Sequence, residues 1–89
     1  MAYFEETSFE QIAGAAKGGA PDALFQLGLM YCAGRDVPMD LVVAHKWFNI
    51  AAVRGNDDAR RDRMELAADM SKTEIARAQK LAREWIRAH

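Results

Sequence analysis

The sequence carries one cysteine, Cys32, among 89 residues, so no intramolecular disulfide can brace the fold. It holds only two prolines, and valine, isoleucine and threonine are too thinly spread to build a sheet. No segment approaches the roughly 18 consecutive apolar residues needed to span a bilayer. The opening Met1-Ala2-Tyr3-Phe4-Glu5-Glu6 lacks the basic start and apolar core of a secretory signal, so a cytoplasmic location is expected. One-sided charge is missing too: 12 Lys and Arg stand against 13 Asp and Glu, for a net charge of -1. Residues 1–53 hold three basic and six acidic side chains, and residues 54–89 hold nine and seven. Even that second half is only mildly basic. Nucleic-acid binding favours a clustered and much larger excess, because affinity grows with the number of phosphates neutralised.

What the chain has instead is apolar and small. Hydrophobic residues make up 51%, much of it alanine, which favours helices packed at close range. A chain of this length makes one domain, 1–89, and buries only about 60–65% of its unfolded surface, so each large apolar side chain matters.

The punctuation divides the chain into five helices. Thr7-Ser8-Phe9-Glu10-Gln11 offers a capping box in either of two registers, and Gly18-Gly19 closes a first helix over about 9–17. Pro21 suits the first turn of a second helix, and Gly34 its end, giving about 21–33. Pro38 disfavours helical geometry at Val37, so a third helix is expected from about Met39 to Arg54, stopped by Gly55. Asn56 can cap a fourth helix through about Asp69, and Ser71-Lys72-Thr73-Glu74 matches the S-x-x-E capping box of a fifth, over about 72–88. In the third helix Ala44, Trp47, Phe48, Ala51, Ala52 and Gly55 share one face of a 3.6-residue period. Ile75, Ala78, Leu81, Ala82, Trp85 and Ile86 do the same in the fifth, and Ala23, Leu24, Leu27, Gly28 and Tyr31 in the second. The fourth helix is poorer, since Arg63 falls among Ala59, Leu66, Ala67 and Met70.

An internal echo joins these segments. Ala16, Gly19, Asp22 and Ala23 recur 36 residues later as Ala52, Gly55, Asp58 and Ala59, and Ala44 and Trp47 recur 38 later as Ala82 and Trp85. Offsets of this size belong to helical-hairpin solenoids, in which each unit buries its face by stacking on a neighbour. The stretch from Ala16 to Ala59 resembles the Sel1-like repeat, a relative of the tetratricopeptide repeat (TPR). The resemblance is carried by Ala23, Leu27, Gly28, Tyr31, Gly34, Val37, Asp40, Ala44, Trp47, Ala51, Ala52 and Gly55. It divides the chain into a partial unit, 1–18, one complete repeat, 19–55, and a diverged closing repeat, 56–89, in which Arg63, Met64 and Ala67 replace Leu27, Gly28 and Tyr31. The resemblance implies an all-α, TPR-like right-handed α/α superhelix of helical hairpins. It also implies a scaffold for protein contacts with no catalytic site.

The residues themselves support no catalytic or cofactor chemistry. A zinc site needs three or four converging ligands, and Cys32, His45 and His89 are too few. Cys32 reads as a packing or surface thiol, and His45 as a partly exposed neighbour of the Trp47 face. No phosphate loop or nucleophile elbow is present, and Gly18-Gly19 reads as a helix end. Asp57 and Asp58 suit the positive end of the fourth helix.

Two groups are left over for binding. Phe25, Gln26, Leu29 and Met30 lie away from the Ala23 and Leu27 line of the second helix, where a solenoid presents its concave surface. The alternative is that the fourth helix, or an N-terminal segment led by Tyr3 and Phe4, covers them. The second group comprises Arg60 and Arg61, with Arg63, Arg77, Lys80, Arg83 and Arg87, which read as a solvated face beside Asp62, Glu65 and Glu84. The expected function is a protein-protein interaction module. The alternatives are nucleic-acid binding through the arginine-bearing half, or a regulatory subunit of an enzyme complex. So short an array leaves large side chains near its ends, Phe9 and Ile12 at one and Trp85 and Ile86 at the other. Either the ends fold back, or another chain covers them, as in a homodimer.

Overall fold

The computed structural model describes residues 8–89, which form five α-helices: α1 (Phe9–Lys17), α2 (Pro21–Ala33), α3 (Leu41–Val53), α4 (Asp57–Ala67) and α5 (Lys72–Ala88). No strand occurs among the described residues. None of these helices is long and apolar enough to cross a membrane. The Tyr3 and Phe4 segment proposed as a cover lies outside the described residues.

Local chemistry starts four of the helices. Ser8 caps α1 in a complete box, its Oγ accepting from Gln11 N–H at 3.1 Å while Gln11 Oε1 accepts from Ser8 N–H at 3.0 Å. Ser71 and Glu74 repeat the arrangement on α5. Asp40 and Asn56 cap α3 and α4 by accepting from Val43 and Ala59 N–H. Each such cap is worth about 1 kcal/mol. Asp40 explains why α3 begins at Leu41 and not at Met39: its carboxylate takes the cap position, and extended geometry there leaves Met39 outside. The loop before it is pinned by Asp40 N–H donating to Tyr31 C=O at 3.0 Å.

The echo in sequence is repeated in the backbone. After α1, the N–H groups of Gly18, Gly19 and Ala20 donate to the carbonyls of Gly14, Ala16 and Ala15; after α3, those of Arg54, Gly55 and Asn56 donate to Ile50, Ala52 and Ala51. Each bond has its counterpart 36 residues on. Gly19 and Gly55 occupy the same left-handed position, with φ of 91° and 107°, which glycine adopts without the steric cost of a Cβ. The equivalent alanines Ala16, Ala52, Ala23 and Ala59 are all buried. Asn56 adds a bond between the two helix starts, donating from Nδ2 to Asp22 Oδ1 at 3.1 Å.

Helix α2 packs against α1 and α3, and α3 packs in turn against α4 and α5. Leu24, Phe48 and Ile50 are the largest fully buried side chains and stand at the centre of this arrangement. The α2–α3 crossing depends on Gly28, where an added Cβ would run into the Phe48 ring. Small and large residues interlock here, so the helix backbones approach more closely than two branched side chains would permit. Buried Ala44, Ala51, Ala78 and Ala82 give α3 and α5 the same closeness. Arg63, the residue that spoils the apolar face of α4, is half-buried and donates from Nη1 to Asn49 Oδ1 at 2.9 Å, tying α4 to α3.

Candidate functional site

The exposed side of α2 looks across a cleft toward α4. Leu29 and Cys32 contribute from α2, Phe48 from α3, and Asp62, Glu65, Leu66 and Asp69 from α4 and the turn that follows it. The cavity measures about 280 Å³. Leu29 is 42% exposed, a large apolar side chain that the packing leaves on the surface. Phe25, one turn before it, is half-buried and packs its ring 5.8 Å from that of Phe48, at 40°. Gln26 is exposed.

Met30 does not belong with this group. It is buried, at 3% exposure, because it lies two helical turns after Ala23 and continues the same inward face. The inward face of α2 is wider than the Ala23 and Leu27 line suggests. Residues on its outer side that sequence reasoning missed are Cys32, three positions after Leu29, and Leu66 across the cleft.

The polar lining of the cleft is acidic. Asp62 and Glu65 stand one turn apart on one side of α4, and Asp69 joins them from the turn that follows the helix. Burial, aided by the Asp62 and Asp69 carboxylates, pushes the Cys32 thiol up from its ordinary value, so it stays neutral at physiological pH. Arg60 and Arg61 are exposed on α4 and pair with acids of their own helix. Arg60 lies 3.8 Å from Asp57, and Arg61 lies 3.1 Å from Asp58 and 3.8 Å from Asp62. Neither lines the cleft. The remaining cations Arg77, Lys80, Arg83 and Arg87 are exposed on α5 and form no ion pair among the described residues.

A second cavity, also about 280 Å³, opens where α1, α2, α3 and α5 meet, lined chiefly by Phe9, Leu27, Tyr31, Trp47 and Trp85. Its surface is mostly apolar, with Lys17 and His89 as its basic members. Trp85 meets Trp47 edge-on at 6.0 Å, and His89 stacks on its other side at 3.8 Å and donates from Nδ1 to Trp85 C=O. Arg54 lies 5.7 Å over the same indole. Of the large side chains expected near the ends, Ile12 is buried by its own chain, while Phe9, Trp85 and Ile86 are half-buried.

His45 is not a partly exposed residue. It is buried at 3% exposure, and its Nδ1 has no hydrogen-bond partner. Burial and the nearby Arg63 charge lower its pKa, so it is neutral at physiological pH. Lys46 is held 4.2 Å over the Trp47 ring, and burial lowers its pKa, against the opposing pull of Glu84. Among the described residues no group of three or more His, Cys, Asp or Glu is placed to hold a metal ion. Comparison with protein-family models, curated proteins and solved structures finds no match to this chain.

Proposed function

We propose that the chain is a Sel1-like, TPR-like helical-repeat scaffold that binds another protein, with the α2–α4 cleft as its contact surface. The observation that carries this reading is Leu29, an exposed leucine beside an open cleft floored by Phe48 and Leu66. A domain this small has little apolar surface to spare, and an exposed apolar side chain beside an open concavity is the form an interaction site takes. The repeated glycine turn, bond for bond across 36 residues, supports the repeat assignment and the stacking of hairpins that it implies.

The second reading is nucleic-acid binding. What favours it is the run of exposed cations on α5, Arg77, Lys80, Arg83 and Arg87. The cleft argues the other way, since its carboxylates repel phosphate, and Arg60 and Arg61 are already paired within α4.

Capture from a lysate of the source cell, run in parallel with the parent and with Leu29→Glu, tests the proposal. The expected result is a set of proteins retained by the parent and lost with the variant, at unchanged melting temperature and after nuclease treatment. Retention that survives Leu29→Glu but falls with Arg83→Glu/Arg87→Glu, steeply with salt, would move the function to α5 and nucleic acid.

A further inference from the structure

The polar lining of the cleft is of one sign, although the molecule as a whole is close to neutral. Asp62, Glu65 and Asp69 face a helix, α2, that contains no basic residue. Among the described residues only Arg61 forms an ion pair with any of them, and it is the more weakly engaged there, at 3.8 Å from Asp62 against 3.1 Å from Asp58. Beneath these carboxylates the floor is apolar, made by Leu29, Phe48, Leu66 and the Cys32 thiol. Negative charge is thus set along one wall of a hydrophobic concavity, while Arg77, Lys80, Arg83 and Arg87, exposed on another helix, α5, form no ion pair among the described residues.

From this we infer that the α2–α4 cleft takes a basic amphipathic segment of a partner protein. An aliphatic anchor of that segment enters between Leu29, Phe48 and Leu66, and its Lys or Arg side chains meet Asp62, Glu65 and Asp69. The inference rests on the protein-binding reading above and adds the chemistry of the partner.

Size and spacing fit that occupant. At about 280 Å³ the cavity falls just below the roughly 300–1,000 Å³ usual for small-molecule and cofactor sites. It has room for an anchoring side chain. Three residues of helix rise span about 4.5 Å, so cations spaced i and i+3 on a partner helix can reach both Asp62 and Glu65, which stand three apart on α4. The neutral thiol of Cys32 serves this surface as a small apolar group. A second copy of the chain is the poorer occupant. The cation-bearing side of its α5, with Arg77, Lys80, Arg83 and Arg87, carries no large aliphatic residue among the charges to enter the floor.

The test uses the full chain and two labelled synthetic helices of identical leucine pattern, one flanked by lysines and the other by glutamates, read by fluorescence anisotropy. The lysine helix is expected to bind and the glutamate helix to fail. Binding should weaken about tenfold or more in Asp62→Lys/Glu65→Lys, which should then accept the glutamate helix. Leu29→Ser should weaken both pairings, and raising salt from about 0.05 to 0.3 M should weaken them further. Binding of the glutamate helix to the parent, lost on Leu29→Ser, would overturn the basic partner while leaving the protein-binding reading intact. Failure of both helices, together with lysate capture indifferent to Leu29→Glu, would overturn both. Concentration-dependent self-association in sedimentation equilibrium, abolished by Asp62→Lys/Glu65→Lys, would replace the partner by a second copy.

Discussion

Trp47 and Trp85 stand 38 residues apart in the sequence, and their indoles meet edge-on at 6.0 Å. The contact joins the middle of α3 to the last turns of α5. It continues outward through the stack of His89 on Trp85, which adds aromatic surface at the end of α5.

Trp85→Ala should therefore destabilise the domain by about 2 kcal/mol, below the roughly 3–5 kcal/mol of a fully buried aromatic because the indole is only half-buried. Urea titration followed by far-UV circular dichroism measures the change. Sedimentation equilibrium on the same variant separates loss of packing from loss of an interface, since a packing role leaves the mass of the folded species unchanged.

Gly28→Leu should cost about 1–3 kcal/mol or more despite the better helix propensity of leucine, because the new side chain meets the fully buried Phe48 ring. Thermal melts read the loss. Pairing Gly28→Ala with Phe48→Leu should recover part of the penalty of the alanine change alone, as expected for two residues that share one space.

His45 makes stability depend on pH. Its pKa is lowered in the folded state, so below about pH 6.5 the unfolded chain binds the proton first. Its contribution is fully present above that value, is lost as pH falls toward the folded pKa, and levels off below it. Arg63 opposes the charge on the same side of the balance. Melting temperature followed from pH 8 to pH 5 should fall in the parent, and His45→Gln should remove part of that slope.

Asn56 serves two helices at once, capping α4 through Ala59 and donating to Asp22 at the start of α2. Asn56→Ala should cost about 1–2 kcal/mol. Asn56→Asp keeps the cap acceptor and removes the donor to Asp22, placing a second carboxylate there. The difference in unfolding free energy between the two variants reports the bridge, with added salt reducing the penalty of the aspartate.

Much of this fold was legible in the sequence because helix ends are local. The limits of α1, α2 and α5 follow from Ser8, Pro21, Ser71 and the glycines that close α1 and α2, whose effects act within one turn. The start of α3 was less so, since Pro38 excludes a helix before it but only the Asp40 side chain decides between Met39 and Leu41. Met30 and His45 were read as more exposed than they are, because the width of a buried face depends on how many neighbours a helix has. Helix α3 has three, so even His45 is enclosed. The cleft brings together residues from Leu29 to Asp69, a separation no local pattern spans. Its acidic side had one available signal, the i, i+3, i+7 spacing of Asp62, Glu65 and Asp69, which was masked by reading Asp62 and Glu65 as partners of the arginines.

The turn after α1 and the turn after α3 are one joint made twice, with the same glycine geometry and the same three backbone bonds. Each joint is closed by backbone bonds made within the turn itself. Another copy of residues 20–55 inserted at Asn56 would arrive with a joint already fitted at its far end and would find a matching one at its near end. In a protein made this way, length is the property most easily edited: tandem duplication would add another pair of helices without a new turn having to be found.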